Sequence, residues 1–467
     1  MTAVATDLIS LSATELRAGY AAGTFRPVDV LEAVLARIAE RNPQINAFSE
    51  TEFDRAGRKA RASTGTAGLL DGVPITLKEN IATVGHRLAA GTAALAEAPP
   101  QTVDGPVALL TDAQGAVRIG KTVMPDYGML SAGVSSLHGI TRSPWNPGWT
   151  VGGSSAGSAA AAAARFGPIH VGSDIGGSVR LPATWTGLAA LKPTFGIVPV
   201  DPPYMGRVIG PLARTVDDVA LAMAVLAEPD PLARDHTFTG PRAANWADVA
   251  GQPLADLAGL RVAVHTDAGC GLPTDPEVVA VVDAAAALFE RAGAHVERIA
   301  PFASEELLHE LDVFLRMRSW VDVKALPMAA RDRVLPYIRE WVLGAADLPG
   351  TAVIQAYHGV QALRRATVTT TEQFDVVLSP VAPVAAFPAE DPSPTNDPAR
   401  AMAHIAYTAP YNFSEQPAAT VNAGFTADGR PVGLQLAARR YDDVRLLQVA
   451  RWYEGARPAS ATPAWPA

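Results

Sequence analysis

Hydrophobic and polar positions at the start of the chain follow a helical period. Ser12-Ala13-Thr14-Glu15 has the form of a capping box, in which the serine and glutamate side chains satisfy the first free N–H groups of a helix. Pro27 opens a second predicted helix. Its apolar positions share one face, and they are Val30, Leu31, Val34, Leu35 and Ile38. We therefore expect packed helices over about residues 8–47.

Further along, short apolar runs typical of buried strands alternate with helical patterns. The strand-like runs are Val73–Leu77, Ala116–Ile119, Ile169–Val171 and Arg261–Val264, and one helical pattern spans Glu277–Ala292. Strand and helix alternation predicts a layered α/β fold. The Pro-rich stretches 199–203 and 383–398 are predicted to be surface loops rather than linkers between domains.

Composition and charge narrow the class of protein. The chain has 467 residues, of which 48% are hydrophobic and 18% charged, as in a globular protein with a large core. The net charge of −9 and the lack of a Lys/Arg cluster argue against a nucleic-acid partner.

The N-terminal residues, the length of the apolar segments and the number of cysteines indicate the cellular compartment of the protein. No basic residue precedes Arg17, and no segment approaches the ~20 apolar residues of a membrane-spanning helix. Cys270 is the single cysteine, so no intramolecular disulfide can form, and we interpret it as a loop thiol. A cytoplasmic protein without a membrane partner is the resulting prediction.

Two glycine-rich turns each carry a serine. Ser154 lies in Gly152–Ser158, and Ser178 lies in Asp174–Arg180. Glycine permits positive φ and close approach of a ligand to the main chain, so such a turn can present a hydroxyl beside free N–H groups. Each turn alone is explained by ordinary strand-to-helix connections. Together with Lys78, which ends an apolar run, they predict a site for covalent acyl transfer.

These segments resemble the amidase signature family of serine hydrolases. The matching positions are Gly152 to Ser155, Gly172, Asp174, Ser178, Arg180, Pro182, Ala183 and Lys192-Pro193-Thr194, with further similar stretches at Gly120–Thr122, Pro410–Asn412 and Pro431–Gln435. The resemblance extends from about Leu11 to Arg451. It implies one domain over residues 1–467, with a mixed, many-stranded central sheet covered on both sides by helices. The signature core would span about 68–215, and a variable substrate-side region about 302–371.

The resemblance also implies roles for individual residues. Ser178 would be the nucleophile, Ser154 would follow a cis peptide bond at Gly153 and relay the proton, and Lys78 would be the base. A lysine is a base only when it is neutral, and burial at a strand edge favours the neutral amine. The alternative for Lys78 is an ordinary lysine that extends from a strand end into solvent. The oxyanion hole would be formed by the N–H groups of Ile175, Gly176, Gly177 and Ser178.

Other residues are predicted to support the site or to line it. Ser155 and Ser158 would hydrogen-bond within the turn and cap the following alanine helix, while Asp174 and Arg180 would brace the second loop. The predicted substrate contacts are Met129, Leu130 and Ser131. Their apolar character favours an uncharged substrate such as an anilide or a carbamate. For Trp185 and Phe195 we expect core packing, with a pocket wall as the alternative.

The predicted function is hydrolysis of a C–N bond in a small amide, anilide or carbamate through an acyl enzyme, without cofactor or metal. Esters would be cleaved as a side activity, and a homodimer is compatible with the sequence. Within the family, the alternative is the glutamine-hydrolysing subunit of a tRNA-dependent amidotransferase.

Two further motifs match the patterns of other protein classes, although their sequence context differs from what those classes require. Gly115–Thr122 fits the phosphate-binding pattern G-x-x-x-x-G-K-[ST], but its variable positions are strand-like and Pro125 would break the helix that should follow. Gly153–Gly157 fits the G-x-S-x-G elbow of α/β-hydrolase esterases, with Ser155 as nucleophile, although loop-like residues rather than a strand precede it. None of the nine histidines stands in a recognisable catalytic or metal-binding spacing.

Overall fold

The computed structural model describes residues 7–240, 244–252 and 254–466, which form an α/β structure around one large sheet. Its helices are α1 (Ala13–Ala21), α2 (Pro27–Ile45), α3 (Phe53–Ala62), α4 (Pro106–Ala113), α5 (Ala156–Ala163), α6 (Arg180–Thr186), α7 (Val216–Leu226), α8 (Asp248–Gly251), α9 (Pro276–Arg291), α10 (Glu305–Lys324), α11 (Met328–Arg331), α12 (Pro336–Leu343), α13 (Gly350–Thr371), α14 (Ala409–Phe413) and α15 (Asp443–Ala456). Its strands are β1 (Phe48–Thr51), β2 (Pro74–Lys78), β3 (Val117–Thr122), β4 (Val134–Ser135), β5 (Gly139–Ile140), β6 (Ile169–Asp174), β7 (Ala189–Lys192), β8 (Val208–Ala213), β9 (Arg261–Val264), β10 (His295–Arg298), β11 (Val376–Pro380), β12 (Ala418–Phe425) and β13 (Pro431–Ala437).

The large sheet is mixed. Its eleven strands follow the order β1-β3-β2-β6-β8-β7-β12-β13-β11-β9-β10. Strand β2 is parallel to β3 and β6, and β9 is parallel to β10 and β11, while the remaining neighbours are antiparallel. Helices flank this sheet, so the predicted mixed, many-stranded α/β architecture is confirmed.

The local patterns read from the sequence correspond to real elements. The Ser12 side chain accepts from the Glu15 N–H, and the Glu15 carboxylate accepts from the Ser12 N–H at 2.8 Å. Helix α2 begins at Pro27, and all of its predicted apolar positions are buried except Leu35, which is half-buried. The four strand-like runs became β2, β3, β6 and β9, and the pattern at 277–292 became α9.

Strands β2 and β6 are buried along their whole length, because parallel strands in the middle of a sheet are covered on both faces. Helix α5 packs on this part of the sheet. It consists of alanine, glycine and serine, and a Cβ added at Gly157 would lie 2.2 Å from the Ala47 carbonyl oxygen. Small side chains thus allow α5 to approach the strands closely, which brings the turn before it next to the ends of β2 and β6.

The prediction of surface loops for the two Pro-rich stretches is correct only in part. Both are free of helices and long strands, but Pro199 and Val200 are buried, and so are Pro383 and Phe387. Phe387 packs edge-on against Trp185, with ring centroids 5.3 Å apart. The second stretch thus runs partly through the core beside α6, whereas Val200 of the first stretch belongs to a separate apolar cluster.

The predicted variable region 302–371 is helical. Helices α10, α12 and α13 share a buried apolar cluster that is separate from the clusters under the sheet. Its members from these helices are Leu308, Leu311, Leu315, Val323, Ile338, Trp341, Val342, Val360 and Leu363. This helical layer faces the ends of β2 and β6 across a cavity.

Candidate active site

The amine of Lys78 lies at the carboxyl end of β2, beside the carboxyl end of the parallel strand β6. In α/β sheets, this edge is where ligands bind. The Lys78 Nζ is 2.7 Å from the Ser154 Oγ and 3.0 Å from the Ser173 Oγ, and Asn80 Nδ2 also donates to the Ser173 Oγ at 3.0 Å. The side chain is fully buried, so the alternative of a lysine that extends into solvent is wrong.

Burial lowers the pKa of Lys78 to about 7, because no water solvates the ammonium. Burial alone does not single this residue out, since it also lowers the pKa of Lys121 to about 8 and that of Lys192 to about 7. Lys121 Nζ donates to Thr83 Oγ1 at 3.2 Å, and Lys192 Nζ donates to the Pro193 carbonyl at 2.8 Å. Of these three amines, only that of Lys78 contacts serines that line the cavity.

Ser154 lies on the turn between the Gly-rich segment and α5. The peptide bond between Gly153 and Ser154 is cis, as the resemblance implied. A Cβ added at Gly153 would lie 2.5 Å from the Ala132 carbonyl oxygen, so only glycine fits at this position. The Ser154 hydroxyl therefore reaches Lys78 from a turn whose backbone is packed tightly on its neighbours.

Ser178 ends the loop that follows β6, and it lines the same cavity as Ser154. Gly177 in this loop has φ +123, which favours glycine. Among the described residues, none accepts a hydrogen bond from the N–H groups of Ile175, Gly176 or Ser178. The Gly177 N–H instead donates to Asp174 Oδ1 at 2.8 Å. The N–H of Gly177, which was expected to be an oxyanion donor, therefore already has an acceptor within the loop.

Asp174 and Arg180 hold this loop in place. Arg180 donates from Nε and Nη2 to the two carboxylate oxygens of Asp174, at 3.1 and 2.9 Å, and both side chains are inaccessible to solvent. Its remaining donors reach the Thr408 carbonyl, Gln435 Oε1 and Asn412 Oδ1. Burial by itself would raise the pKa of Asp174, but the charge and hydrogen bonds of Arg180 hold it below its ordinary value. The carboxylate thus stays charged and fully paired.

Ser155 does not cap α5 with its side chain, contrary to prediction. Its Oγ lies 3.3 Å from both the N–H and the carbonyl oxygen of Ser173, and the Gly157 N–H donates to the Val123 carbonyl at 2.9 Å. The Ser158 hydroxyl lies 2.7 Å from Thr122 Oγ1 and likewise ties α5 to the sheet. Both hydroxyls face strands rather than the helix terminus, because α5 packs directly on β3 and β6.

The elbow and phosphate-loop motifs lack the structures they need. Ser155 is fully buried, and no strand leads into the turn that carries it. Gly120, Lys121 and Thr122 all lie inside β3 rather than on a loop before a helix. Cys270 lies in a loop as expected, and burial raises the pKa of its thiol to about 11.

A cavity of about 80 Å³ opens between the loop of Ser178 and the helical layer. The predicted contacts Met129, Leu130 and Ser131 all line it. Trp185 and Phe195 do not, and Trp185 packs in the core as expected, whereas Phe195 is half-buried and lies outside the apolar clusters of the described residues. The lining residues outside the predicted set are Asn80, Tyr127, Gly128, Ser173, Tyr204, Arg207, Leu315, Arg318, Ser319, Tyr337, Trp341, Pro392, Ser393, Ala401, Met402, His404 and Ile405.

Ser173 is the missed residue with the clearest signal in the sequence. It stands directly before Asp174 at the end of the predicted strand 169–171, parallel to the strand that ends at Lys78. The helical lining residues had no such signal, because an amphipathic helix pattern does not indicate which cavity the helix borders.

The model of one protein family matches residues 29–447, and that family is described as Amidase. The chain belongs to the amidase family. Members of this family are hydrolases acting on C–N amide bonds, and so is this amidase. It is 34% identical over 472 residues to an acylamidase of Rhodococcus erythropolis, with 96% of each chain covered. It is also 33% identical over 486 residues to a glutamyl-tRNA(Gln) amidotransferase subunit of Symbiobacterium thermophilum, with 95% of this chain and 96% of the relative covered.

The fold of this amidase matches those of solved relatives. A 6-aminohexanoate cyclic dimer hydrolase, solved with its substrate, superimposes with a TM-score of 0.87. The two sequences are 27% identical, and the match covers 99% of this chain and 100% of the other.

Within the described ranges, no helix of the amidase is both long enough and apolar enough to cross a membrane. Over the same part of the chain, no group of three or more His, Cys, Asp or Glu side chains is arranged to hold a metal ion.

Proposed function

We propose that this amidase cleaves amides by way of an acyl enzyme on Ser178. The Ser178 Oγ attacks the substrate carbonyl carbon, its proton passes to Ser154, and the Ser154 proton passes to the neutral amine of Lys78. The proton then returns along the same path to the leaving nitrogen, and the C–N bond breaks. A water molecule, activated in the same way, releases the acid. The observation that carries this proposal is the buried Lys78 amine, 2.7 Å from the hydroxyl of Ser154 in the cavity that Ser178 lines.

The developing negative charge on the carbonyl oxygen would be stabilised by main-chain donors. The N–H groups of Ile175, Gly176 and Ser178 have no acceptor among the described residues and border the cavity. Loss of one such donor typically costs about 3–4 kcal/mol of transition-state stabilisation. The Asp174–Arg180 pair supports this role because it fixes the loop that presents these donors.

The substrates that we propose are small amides, anilides and carbamates. The name of the Rhodococcus relative, acylamidase, favours the amide members of this set. Carbamates form the same kind of tetrahedral intermediate, and so do esters, for which we expect a side activity.

Intact mass after treatment with a fluorophosphonate tests the nucleophile. We expect one adduct on the wild type and none on Ser178→Ala. The kcat of Ser178→Ala for acetanilide should fall by at least about 10³-fold. Ser155→Ala is the matched control because it removes a hydroxyl from the other turn, and it should still form the adduct. An adduct that persists in Ser178→Ala and maps to Ser155 would contradict the proposal.

A second candidate is the glutamine-hydrolysing subunit of a tRNA-dependent amidotransferase. It is favoured by the relatives named as glutamyl-tRNA(Gln) amidotransferase subunits, which are as similar to the chain as the acylamidase is. Ammonia release from glutamine distinguishes the two candidates. Glutamine turnover that depends on copurified partner proteins would establish this candidate, whereas anilide turnover by the isolated chain without glutaminase activity would exclude it.

A further inference from the structure

Two arginines reach the cavity from outside the glycine turns. Arg207 directly precedes β8, and Arg318 lies on α10. Both line the cavity that contains Ser154 and Ser178. An arginine is charged at every ordinary pH, so these two residues determine which charge a substrate meets beside the reacting groups.

The position of Arg207 follows from the sheet register. Strand β8 is antiparallel to β6, with Val208 opposite Asp174, so Arg207 comes opposite Ile175 at the start of the Ser178 loop. A Cβ added at Gly206 would lie 3.4 Å from the Ile175 side chain, in agreement with this placement. Arg207 is therefore a neighbour of the loop that would hold the carbonyl oxygen of the substrate.

One edge of the Arg207 guanidinium has no protein acceptor. The side chain is 6% exposed, and its Nη1 donates to the Pro202 carbonyl at 2.8 Å. Nε is buried without a partner, and among the described residues none accepts from Nη2. Nε and Nη2 together form the edge that binds a carboxylate side-on. Arg180 shows the contrast, since the same edge there is occupied by Asp174.

Arg207 and Arg318 converge on one tyrosine. Their guanidinium carbons lie 5.1 and 4.3 Å from the centre of the Tyr204 ring. Neither arginine forms an ion pair with any described residue, although Asp322 lies one turn beyond Arg318 on α10. Burial, together with the charge of Arg318, lowers the pKa of Arg207. Two like charges thus lie close together, and the two carboxylates whose charges reach them, Asp201 and Asp322, form an ion pair with neither arginine.

The acid and base side chains that line the cavity do not form ion pairs with these two arginines. Asp174 is paired with Arg180. Burial lowers the pKa of Lys78 to about 7 and that of His404 to about 4, so the imidazole is neutral at pH 7. A buried charge without a partner is costly, which makes an anion the fitting ligand.

We infer that the substrate is an amide or carbamate that also carries a carboxylate, bound by Arg207 and Arg318. This inference rests on the proposed function and identifies the substrate class of that site. It departs from the uncharged substrate favoured by Met129 and Leu130, because the two arginines come from segments that gave no sign of bordering the site. The carboxylate belongs either to the acyl part or to the amine part of the substrate.

Two pairs of substrates test the inference and distinguish these sources. On the acyl side, succinic acid monoanilide is compared with 4-oxopentanoic acid anilide, in which a methyl ketone replaces the carboxylate. On the amine side, 4-acetamidobenzoate is compared with 4-acetamidoacetophenone. Release of the aromatic amine gives kcat/KM. We expect the carboxylate member of one pair to be preferred by at least about 30-fold, the minimum effect typical of a buried charge pair.

The variants Arg207→Met and Arg318→Met should abolish this preference, which is measured in each variant as the ratio of kcat/KM for the carboxylate member to kcat/KM for the neutral member. Arg339→Met is the control, because Arg339 lies on the neighbouring helix α12, pairs with Asp332 and does not line the cavity. Product inhibition tests the same inference on the wild-type enzyme alone. Succinate should inhibit more strongly than 4-oxopentanoate, or 4-aminobenzoate more strongly than 4-aminoacetophenone, according to the side that carries the carboxylate.

The inference would be overturned if, in both pairs, the enzyme preferred the neutral member or showed no preference. It would also be overturned if the carboxylate preference survived in both arginine variants. The proposed function would remain intact in that case, provided that the fluorophosphonate adduct maps to Ser178. Loss of the adduct and of all anilide turnover is the separate result that would reject the proposed function.

Discussion

The two walls of the cavity are built differently. The sheet-side wall consists of strand ends and glycine turns, and its groups Lys78, Ser154 and Ser178 are at most 8% exposed. The helix-side wall comes from α10 and α12, and its Arg318 and Tyr337 are only half-buried. On the sheet side, strand register positions Lys78 and closely packed glycine turns position the two serines, whereas Arg318 and Tyr337 on the helices are more accessible to solvent. We therefore propose that the chemistry belongs to the first wall, and that substrate selection is shared between Arg207, at the sheet side, and Arg318 on the second wall.

Polar contacts differ between the walls in the same way. On the sheet side, Asp174 and Arg180 satisfy each other in complete burial. Across the cavity, Arg318 has no ion-pair partner among the described residues and lies over the Tyr204 ring instead. The first arrangement stabilises the free enzyme, while the second is available to a ligand.

Replacing the amine of Lys78 should have the largest effect on the sheet-side wall. Lys78→Met removes the proposed base, so kcat should fall about 10²–10⁴-fold for every substrate, which acetanilide hydrolysis measures. Lys121→Met is a matched control, since Lys121 is equally buried but does not contact the site serines, and it should keep its activity. Equal losses in both variants would contradict the assignment.

Breaking the buried ion pair should affect stability more than any change on the helix side. Arg180→Met leaves the Asp174 carboxylate buried without its partner, and we expect a loss of about 3–5 kcal/mol in the free energy of unfolding in urea. The exposed pair of Arg298 and Asp283 provides the comparison, and Arg298→Met should cost less than about 1 kcal/mol. If the two variants lost similar amounts of unfolding free energy, the buried pair would contribute no more to stability than a surface pair.

The pH profile should report the neutral amine. Because the pKa of Lys78 is lowered to about 7, kcat/KM for acetanilide should be constant above about pH 8 and fall about tenfold per pH unit below pH 6. The sign follows from protonation, since the ammonium that forms at lower pH cannot accept the Ser154 proton. A profile that stays flat from pH 5 to 8 would show that another group limits the reaction.

A hydroxyl on the helix-side wall should matter least. The Tyr337 hydroxyl lies 2.9 Å from Ser393 Oγ and 3.0 Å from the Asp397 carbonyl oxygen, so Tyr337→Phe should cost about 1 kcal/mol of stability. Its effect should fall on KM rather than kcat, by less than about 5-fold. Tyr357→Phe, at an exposed site on α13, should change neither quantity. A large fall in kcat for Tyr337→Phe would place chemistry on both walls.

Much of the sheet side could be predicted because its signals are local. Glycine turns, the lysine at the end of an apolar run and the capping box each depend on residues close together in sequence, and the structure has the turns, strand and helix where these patterns predict them. The errors were local as well. The Ser155 hydroxyl has its partner on the neighbouring strand, at Ser173, and the Gly177 N–H has its acceptor, Asp174, within its own turn.

The sequence by itself determined the α/β class, the strands and helices, and which serines and lysine to consider. Only the tertiary structure decided that Lys78 is the buried lysine in contact with the cavity serines, that Ser173 joins it, and that Arg207 and Arg318 line the same cavity. Periodicity and turn chemistry act over a few residues, whereas burial and electrostatics depend on which distant segments the sheet order brings together. The Arg318 guanidinium lies 4.3 Å from the Tyr204 ring centre because the fold brings α10 next to the segment that precedes β8.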